Sequence, residues 1–172
     1  FPEAVRAWAE DRDVGRVQEV LLGLLDAYER DFARHTDPSM FPKLSLIWRS
    51  IPSQLAKDNK KFLYKAVREG SRAREYEDAL HWLRNAGLIR LTRRVSKPGL
   101  PISAYEDAGA FKAYACDIGL LRRQARLAPS AFTEGDRLFT EFKGALSENY
   151  ALQALAPQLD AAFDRGLVTV AD

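Results

Sequence analysis

The feature that most constrains the fold is a stretch of about twenty residues in which apolar side chains recur at steps of three and four. They are Val14, Val17, Val20, Leu21, Leu24, Leu25, Tyr28 and Phe32. This spacing places them on one face of an amphipathic α-helix, with Asp13 as its N-cap, and predicts a helix that ends near His35. Because such a helix must bury its apolar face against other elements, the chain is predicted to be a packed, helical protein.

The middle of the chain follows a helix–helix–helix–hairpin order. Apolar residues at helical spacing run from Leu44 to Leu55, and Pro52 inside this run predicts two helical pieces that join at Ser50 or Pro52. A short apolar element covers residues 62–67, and a helix with Ser71 as its N-cap ends at Gly87. Residues 88–92 and 102–105 are predicted to be the two strands of a hairpin. This order is that of a winged helix.

The remaining segments complete a prediction of a mainly α fold with a small β component. Residues 1–41 form a helical N-terminal segment, which includes a short helix over residues 2–9, and residues 42–110 form the winged helix-turn-helix. In residues 111–172 we expect a strand over residues 111–116, a helix capped by Asp117, a helix over about residues 138–159 that Pro157 ends or kinks, and a last strand over residues 167–170. Trp8, Trp48 and Trp82 each lie on an apolar helix face and are predicted to be core residues.

Charge is unevenly distributed along the chain. Residues 1–56 carry a net charge of −2, residues 57–97 carry +7, and residues 98–172 carry −3. A basic block between acidic flanks is typical of an anion-binding surface, although charge runs are also common on solvated helix faces. In a winged helix the third helix and the hairpin contact DNA, and the basic residues predicted for that role are Arg72, Arg74, Arg84, Arg93, Arg94 and Lys97. A winged helix used for protein docking remains the alternative.

The sequence contains no motif for an independent enzyme. It has no P-loop, no Gly-x-Gly-x-x-Gly and no Gly-x-Ser-x-Gly. His35 and His81 are 46 residues apart, without the spacing of zinc ligands. The single cysteine, Cys116, is predicted to be a small buried hydrophobe, and its isolation favours a reducing, cytoplasmic location. No apolar run approaches the roughly 20 residues of a membrane-spanning helix, so no membrane partner is expected.

A series of short strings resembles a known domain family. They are residues 1–5 (FPEAV), 28–32 (YERDF), 51–62 (IPSQLAKDNKKF), 72–80 (RAREYEDAL), 82–83 (WL), 86–88 (AGL), 95–98 (VSKP), 100–101 (LP), 111–114 (FKAY), 117–121 (DIGLL) and 143–150 (KGALSENY). In this order they are similar to the C-terminal domain of unknown function 4143 of bacterial and archaeal AAA-like ATPases. The resemblance covers nearly the whole chain.

The resemblance implies two missing neighbours. An ATPase domain that binds ATP and Mg²⁺ is expected upstream of Phe1, so the segment itself needs no cofactor. The helix that contains residues 143–155 would open a segment similar to PD-(D/E)xK nucleases, and only Glu148 has a counterpart among that family's catalytic acids. Two-metal hydrolysis needs several converging carboxylates, so the nuclease-like part is expected to be truncated and Glu148 to be a relic or a surface residue.

Three functions are therefore weighed. The first is a non-catalytic winged-helix module that binds DNA weakly. The second is a docking or regulatory module for the cognate ATPase domain, with Arg72 or Arg74 near a nucleotide. The third is the remnant of a nuclease-like domain.

Overall fold

The structure is a computed structural model that describes residues 1–56, 61–128 and 137–164. Within these ranges it contains α-helices and one antiparallel pair of strands, so the predicted mainly α class with a small β component is confirmed. The helices are α1 (Pro2–Asp11), α2 (Val14–His35), α3 (Phe41–Ala56), α4 (Tyr64–Val67), α5 (Ala73–Asn85), α6 (Ile118–Gln124) and α7 (Arg137–Asp164), and the strands are β1 (Ile89–Val95) and β2 (Glu106–Ala115). The predicted strand over residues 167–170 lies outside the described residues.

The predicted long helix is confirmed from cap to cap. The Asp13 carboxylate accepts a hydrogen bond from the Gly15 amide at 2.7 Å, which satisfies one of the free donors at the start of α2. The helix ends at His35, where the backbone of Thr36 becomes extended. Leu21 and Phe32 are the buried residues of its apolar face.

The predicted break at Pro52 is wrong, because α3 continues through it. Proline has no N–H to donate to the carbonyl of Trp48, one turn earlier. The side-chain amide of Gln124 donates a hydrogen bond to that carbonyl at 3.5 Å and replaces the missing helical bond. Gln124, which is 76 positions away from Trp48 in the chain, therefore makes the proline compatible with a single helix.

The helix before the hairpin is closed as predicted, although its start differs. Arg72 rather than Ser71 is the N-cap of α5. At the other end, Gly87 has a φ of 73°, and the amides of Gly87 and Leu88 donate to the carbonyls of Arg84 and Leu83 at 3.0 Å. This is a Schellman motif, for which glycine is the ordinary residue.

The hairpin pairs later residues than the sequence predicts. Residues 102–105 form a 3₁₀ turn instead of a strand, and the strand opposite β1 is β2. Ile89 lies opposite Ala115 at one end of the hairpin and Val95 lies opposite Glu106 at the other. The predicted strand over residues 111–116 is thus the inner half of β2. The predicted boundary between residues 110 and 111 falls inside this strand.

The three predicted segments contribute to one core. Its buried members include Phe32, Trp48, Leu80, Leu121 and Leu146, from five different helices. Phe32 and Trp48 meet edge to face, with ring centroids 6.4 Å apart.

The tryptophans differ in burial. Trp48 is buried as predicted, and Trp82 is half-buried against Phe32. The prediction for Trp8 is wrong, because its side chain is 41% exposed and the Arg12 guanidinium lies 5.5 Å from its ring centroid.

The last described helix is longer than predicted. It runs through Pro157 to Asp164. Among the described residues, no helix combines the length and the apolar character needed to cross a membrane.

Candidate nucleic-acid interface

The six basic residues predicted to bind nucleic acid occupy three places. Arg72 and Arg74 lie at the N-terminal end of α5, Arg84 lies in its last turn, and the other three lie on β1 and the loop after it. All six side chains are exposed, as an interface requires. Their surroundings nevertheless differ.

Two of the three hairpin cations form ion pairs within the hairpin. The Nη1 atom of Arg93 is 2.9 Å from Oε2 of Glu106, and Nη2 of Arg94 is 2.5 Å from Oδ2 of Asp107. The hydrogen bond from Arg94 is the main cause of the lowered pKa of Asp107. A charge count over residues 57–97 misses this pairing, because both acids belong to the next strand.

The third hairpin cation, Lys97, lies beside an aromatic ring. Its Nζ atom is 4.8 Å from the centroid of the Tyr105 ring. Such a contact is weak at an exposed site and leaves the ammonium in water.

The N-terminal end of α5 is open by comparison. Arg72 makes no side-chain capping hydrogen bond to the first turn. Over residues 1–56, 61–128 and 142–158, neither Arg72 nor Arg74 has an ion pair or a hydrogen bond from its side chain. Free amides and the positive end of the helix dipole therefore lie next to two unpaired guanidinium groups, which together favour a phosphate oxygen.

Two cations of this end are missing from the sequence prediction. Lys65 on α4 and Arg68 just after it are exposed, and the Arg68 carbonyl accepts the Ser71 amide in the turn that leads into α5. Their signal in the sequence is their place in the basic block. We call Lys65, Arg68, Arg72 and Arg74 the α5 basic end; Glu69 and Glu75 are the exposed acids within the same stretch.

The middle of α5 exposes acids rather than bases. Glu77 and Asp78 are exposed in its middle, and Arg84 is separated from the α5 basic end by the length of the helix. A helix that inserts along its whole length into a groove would bring these carboxylates towards phosphates. The charge pattern therefore favours contact through the N-terminal end alone.

Glu148 is bound to the sheet by two hydrogen bonds. Its Oε2 atom accepts from Nζ of Lys112 at 2.8 Å and from the hydroxyl of Tyr114 at 3.0 Å. The hydrogen bond from Lys112 is the main cause of the lowered pKa of Glu148, while burial, and then this carboxylate, raise the pKa of Tyr114. Among the described residues, no group of three or more His, Cys, Asp and Glu side chains is arranged to hold a metal ion.

Two other residues of α7, Asn149 and Gln153, form hydrogen bonds at and just after the end of β2, and Asn149 is more buried than Glu148. Asn149 is fully buried, its Oδ1 atom accepts from the Ala115 amide at 2.9 Å, and its Nδ2 atom donates to the Ala115 carbonyl at 3.1 Å. One turn later, Gln153 accepts from the Ile118 amide at 2.8 Å. The string over residues 143–150 thus has a structural role, which is to attach α7 to the end of β2.

The single cysteine is not a reactive thiol. Burial, and then the charge of Asp117, raise the pKa of Cys116 to about 11. The thiol is therefore protonated at neutral pH and is a poor nucleophile.

Comparison with known proteins identifies the family of the chain. A model of the Domain of unknown function (DUF8612) family matches residues 1–131, so the chain belongs to that family. No curated protein and no solved structure matches it. The prediction that the chain is a domain of unknown function is thereby confirmed, but the matching family is DUF8612 and not domain 4143. The link to AAA-like ATPases and to nuclease-like segments stays a prediction.

Proposed function

We propose that this segment is a non-catalytic module that binds the phosphate backbone of DNA, weakly, through the α5 basic end. The observation that carries the proposal is that the exposed guanidinium groups of Arg72 and Arg74, at a helix start without a side-chain cap, have no partner within the described residues. The helix–helix–helix–hairpin order supports it, since in winged helices this helix is the one that meets DNA.

In this proposal the predicted basic residues contribute unequally to phosphate binding. Arg72 and Arg74, with Lys65 and Arg68, supply the phosphate contacts. Lys97 adds one contact from the hairpin, whereas Arg93 and Arg94 contribute little because their charges are balanced by Glu106 and Asp107. With so few contacts, the dissociation constant is expected to be micromolar or weaker at physiological salt.

In this proposal the segment is part of a larger AAA-like ATPase and acts in the cytoplasm. ATP and Mg²⁺ are bound by the upstream domain, and the segment itself carries no catalytic residue. Glu148 then serves to hold α7 on β2, through Lys112 and Tyr114.

The test is a titration of labelled duplex DNA with two matched variants. Arg72→Gln/Arg74→Gln and Arg93→Gln/Arg94→Gln each remove two positive charges. We expect the first variant to bind at least about tenfold more weakly and to flatten the dependence of log K on log salt by about 1.8, at roughly 0.9 per lost phosphate contact. The second variant should change either quantity by less than half as much.

Two results would reject this proposal. One is an equal loss of affinity in both variants. The other is the absence of any binding at low salt with protein at tens of micromolar, the range of weak non-specific contacts.

The charge balance of α5 favours a second candidate, docking onto the cognate ATPase domain. Its middle exposes Glu77 and Asp78, which suit a protein surface better than a phosphate backbone. Docking predicts that Arg72→Gln/Arg74→Gln lowers the ATPase rate of the full-length parent in the absence of DNA. Wild-type turnover in that assay would reject docking.

A further inference from the structure

A cleft between α2, α3 and α6 has the features of a small-molecule site. Its volume is about 610 Å³, within the range of roughly 300–1,000 Å³ that is usual for ligand pockets. None of its lining residues belongs to α4, α5 or the hairpin. It is therefore separate from the α5 basic end.

Three arginines line the cleft, and one of them has a partner. The Nε atom of Arg49 donates to Glu29 at 2.7 Å, and this bond is the main cause of the raised pKa of Arg49. Over the side chains that the structure describes, Arg123 and Arg126 form no ion pair. Asp26, on the α2 side, is the other acid of the lining.

Two polar atoms of the lining are buried without a hydrogen bond among the described residues. They are Nε of Arg123, which is a donor, and Oε1 of Gln124, which is an acceptor. The amide nitrogen of Gln124 is already bonded to the Trp48 carbonyl, and this fixes where Oε1 lies. Buried polar groups are nearly always paired, so an unpaired donor and an unpaired acceptor on two adjacent lining residues mark this wall of the cleft as unusual.

The backbone of Arg126, another residue of the lining, is left-handed, as is that of Arg12 at the end of α1. The φ of Arg126 is 56°, and the amides of Arg126 and Leu127 donate to the carbonyls of Arg123 and Arg122. This is the same Schellman motif that ends α5, where the corresponding residue is Gly87. An arginine at a position that favours glycine is strained, and such strain is concentrated at functional sites.

The ordinary explanation of basic residues at a helix end accounts for only part of this arrangement. Arg122 and Arg123 lie in the last turn of α6, where positive charge offsets the helix dipole. That effect operates equally well with both guanidinium groups in water. It does not explain the buried, unpaired Nε atom of Arg123.

We infer that this cleft binds a small organic anion, whose phosphate or carboxylate group is held by Arg123 and Arg126 and whose apolar part lies on Leu22 and Leu25. Arginine forks match both kinds of oxyanion. Leu22 is 42% exposed and Leu25 is half-buried, so an apolar group placed there removes further surface from water.

The charge of the lining limits which anions fit. Asp26 and Glu29 lie on the α2 side of the cleft, and the five ionisable side chains among its described lining residues carry a net charge of +1. A compact anion with one charged end satisfies this pattern. A long polyanion such as a DNA strand would bring phosphates against the two carboxylates.

The test uses phenyl phosphate, benzoate and inorganic phosphate as probes. Protein labelled with ¹⁵N reports directly on the arginine Nε–H groups. We expect a saturable shift of the Arg123 Nε–H signal with phenyl phosphate or benzoate, and affinity at least about threefold weaker for inorganic phosphate, which lacks the apolar part. A response that does not saturate with any of the three probes would overturn the inference.

Substitutions separate binding from folding. Arg126→Gly should weaken binding of phenyl phosphate about tenfold while raising the melting temperature, because it relieves the left-handed backbone. Arg12→Gly is the matched control, since Arg12 also has a left-handed φ, of 53°, and lies outside the cleft. It should leave binding unchanged. Wild-type affinity in both Arg126→Gly and Arg123→Gln would overturn the inference.

The cleft and the α5 basic end are tested independently. Arg123→Gln should lose phenyl phosphate binding and keep the affinity for duplex DNA. Arg72→Gln/Arg74→Gln should do the opposite. Loss of phenyl phosphate binding in the latter variant would assign the probe to the α5 basic end and overturn the cleft.

Discussion

The hairpin has an inner end, where Ile89 lies opposite Ala115, and an outer end, where Val95 lies opposite Glu106. Polar contacts serve different purposes at these two ends. At the inner end, Ala115 is 2% exposed and both of its backbone groups are bonded to the fully buried amide of Asn149. At the outer end, Arg93 and Arg94 are exposed and bonded to exposed or half-buried acids. Each end is satisfied, but only at the inner end would a lost partner leave polar groups buried without water.

The difference shows that burial, rather than the number of contacts, decides what a polar group does. The inner end holds α7 on the sheet. The outer end holds two ion pairs whose charges largely cancel, so it contributes little to stability and little to the electrostatic potential at the surface. The α5 basic end is a third case, in which Arg72 and Arg74 are exposed and unpaired within the described residues, and its charge remains available to a ligand.

The largest effect is expected from Asn149→Ala at the inner end. The substitution leaves the Ala115 N–H and C=O buried without partners, and we expect a loss of about 2–6 kcal/mol in the free energy of unfolding, at roughly 1–3 kcal/mol for each of the two unsatisfied groups. Chemical denaturation measures it. Tyr150→Ala is the control, because that neighbouring side chain is 60% exposed and should cost far less. Equal losses would contradict the assignment of Asn149.

The sequence predicts elements well where the cause is local. Asp13 and the apolar spacing after it determine α2, and Gly87 determines the end of α5. Prediction from the sequence fails where the residue that causes a feature is distant in the chain. Gln124 makes Pro52 compatible with one helix, and Glu106 and Asp107 balance Arg93 and Arg94 from the opposite strand.

The candidate sites follow the same division. Arg72 and Arg74 were predicted because their charge and their place before a helix are visible in the sequence. The sequence does not predict the cleft, since Arg123 and Gln124 lie on α6 whereas Leu22 lies on α2, and no local motif links the two helices. The buried, unpaired atoms of the lining, Nε of Arg123 and Oε1 of Gln124, result from tertiary packing and have no signal in the sequence.

Neutralising the acids of the outer end should create a binding surface where the native protein has little. Glu106→Gln/Asp107→Asn frees Arg93 and Arg94, and the new side-chain amide keeps an oxygen for the Gly109 N–H that Asp107 now bonds at 3.0 Å. If DNA is the partner, affinity should rise about five- to tenfold, which is about 1 kcal/mol, with a steeper salt dependence. A duplex titration measures both. Unchanged affinity and salt dependence would show that the hairpin does not approach DNA.

A smaller effect is expected from pH at Glu148, beside the inner end. The hydrogen bond from Lys112 lowers the pKa of this carboxyl below its ordinary value of 4.5. Its stabilisation is therefore fully present above about pH 4.5 and is lost as the pH falls through the lower, folded-state pKa. Because Glu148 is 51% exposed, solvent screening limits the contribution to about 0.5–1 kcal/mol.

Denaturation of the wild type and of Glu148→Gln at pH 6 and pH 3 isolates this contribution. The difference between the two proteins should be largest at pH 6 and should shrink towards pH 3. A difference that grows on acidification would mean that the carboxylate destabilises the fold.

The smallest effect is expected from the Arg93–Glu106 pair at the outer end. Both side chains are more than a quarter exposed, at 43% and 33%, so water competes for each charge in the folded protein. A double-mutant cycle with Arg93→Ala, Glu106→Ala and the double variant should give a coupling free energy below about 0.5 kcal/mol, with further decrease at high salt. Glu148→Ala with Lys112→Ala provides the matching cycle near the inner end. A coupling at Arg93–Glu106 that exceeds the Lys112–Glu148 value would reverse the comparison, because it would place the stronger polar contact at the exposed end of the hairpin.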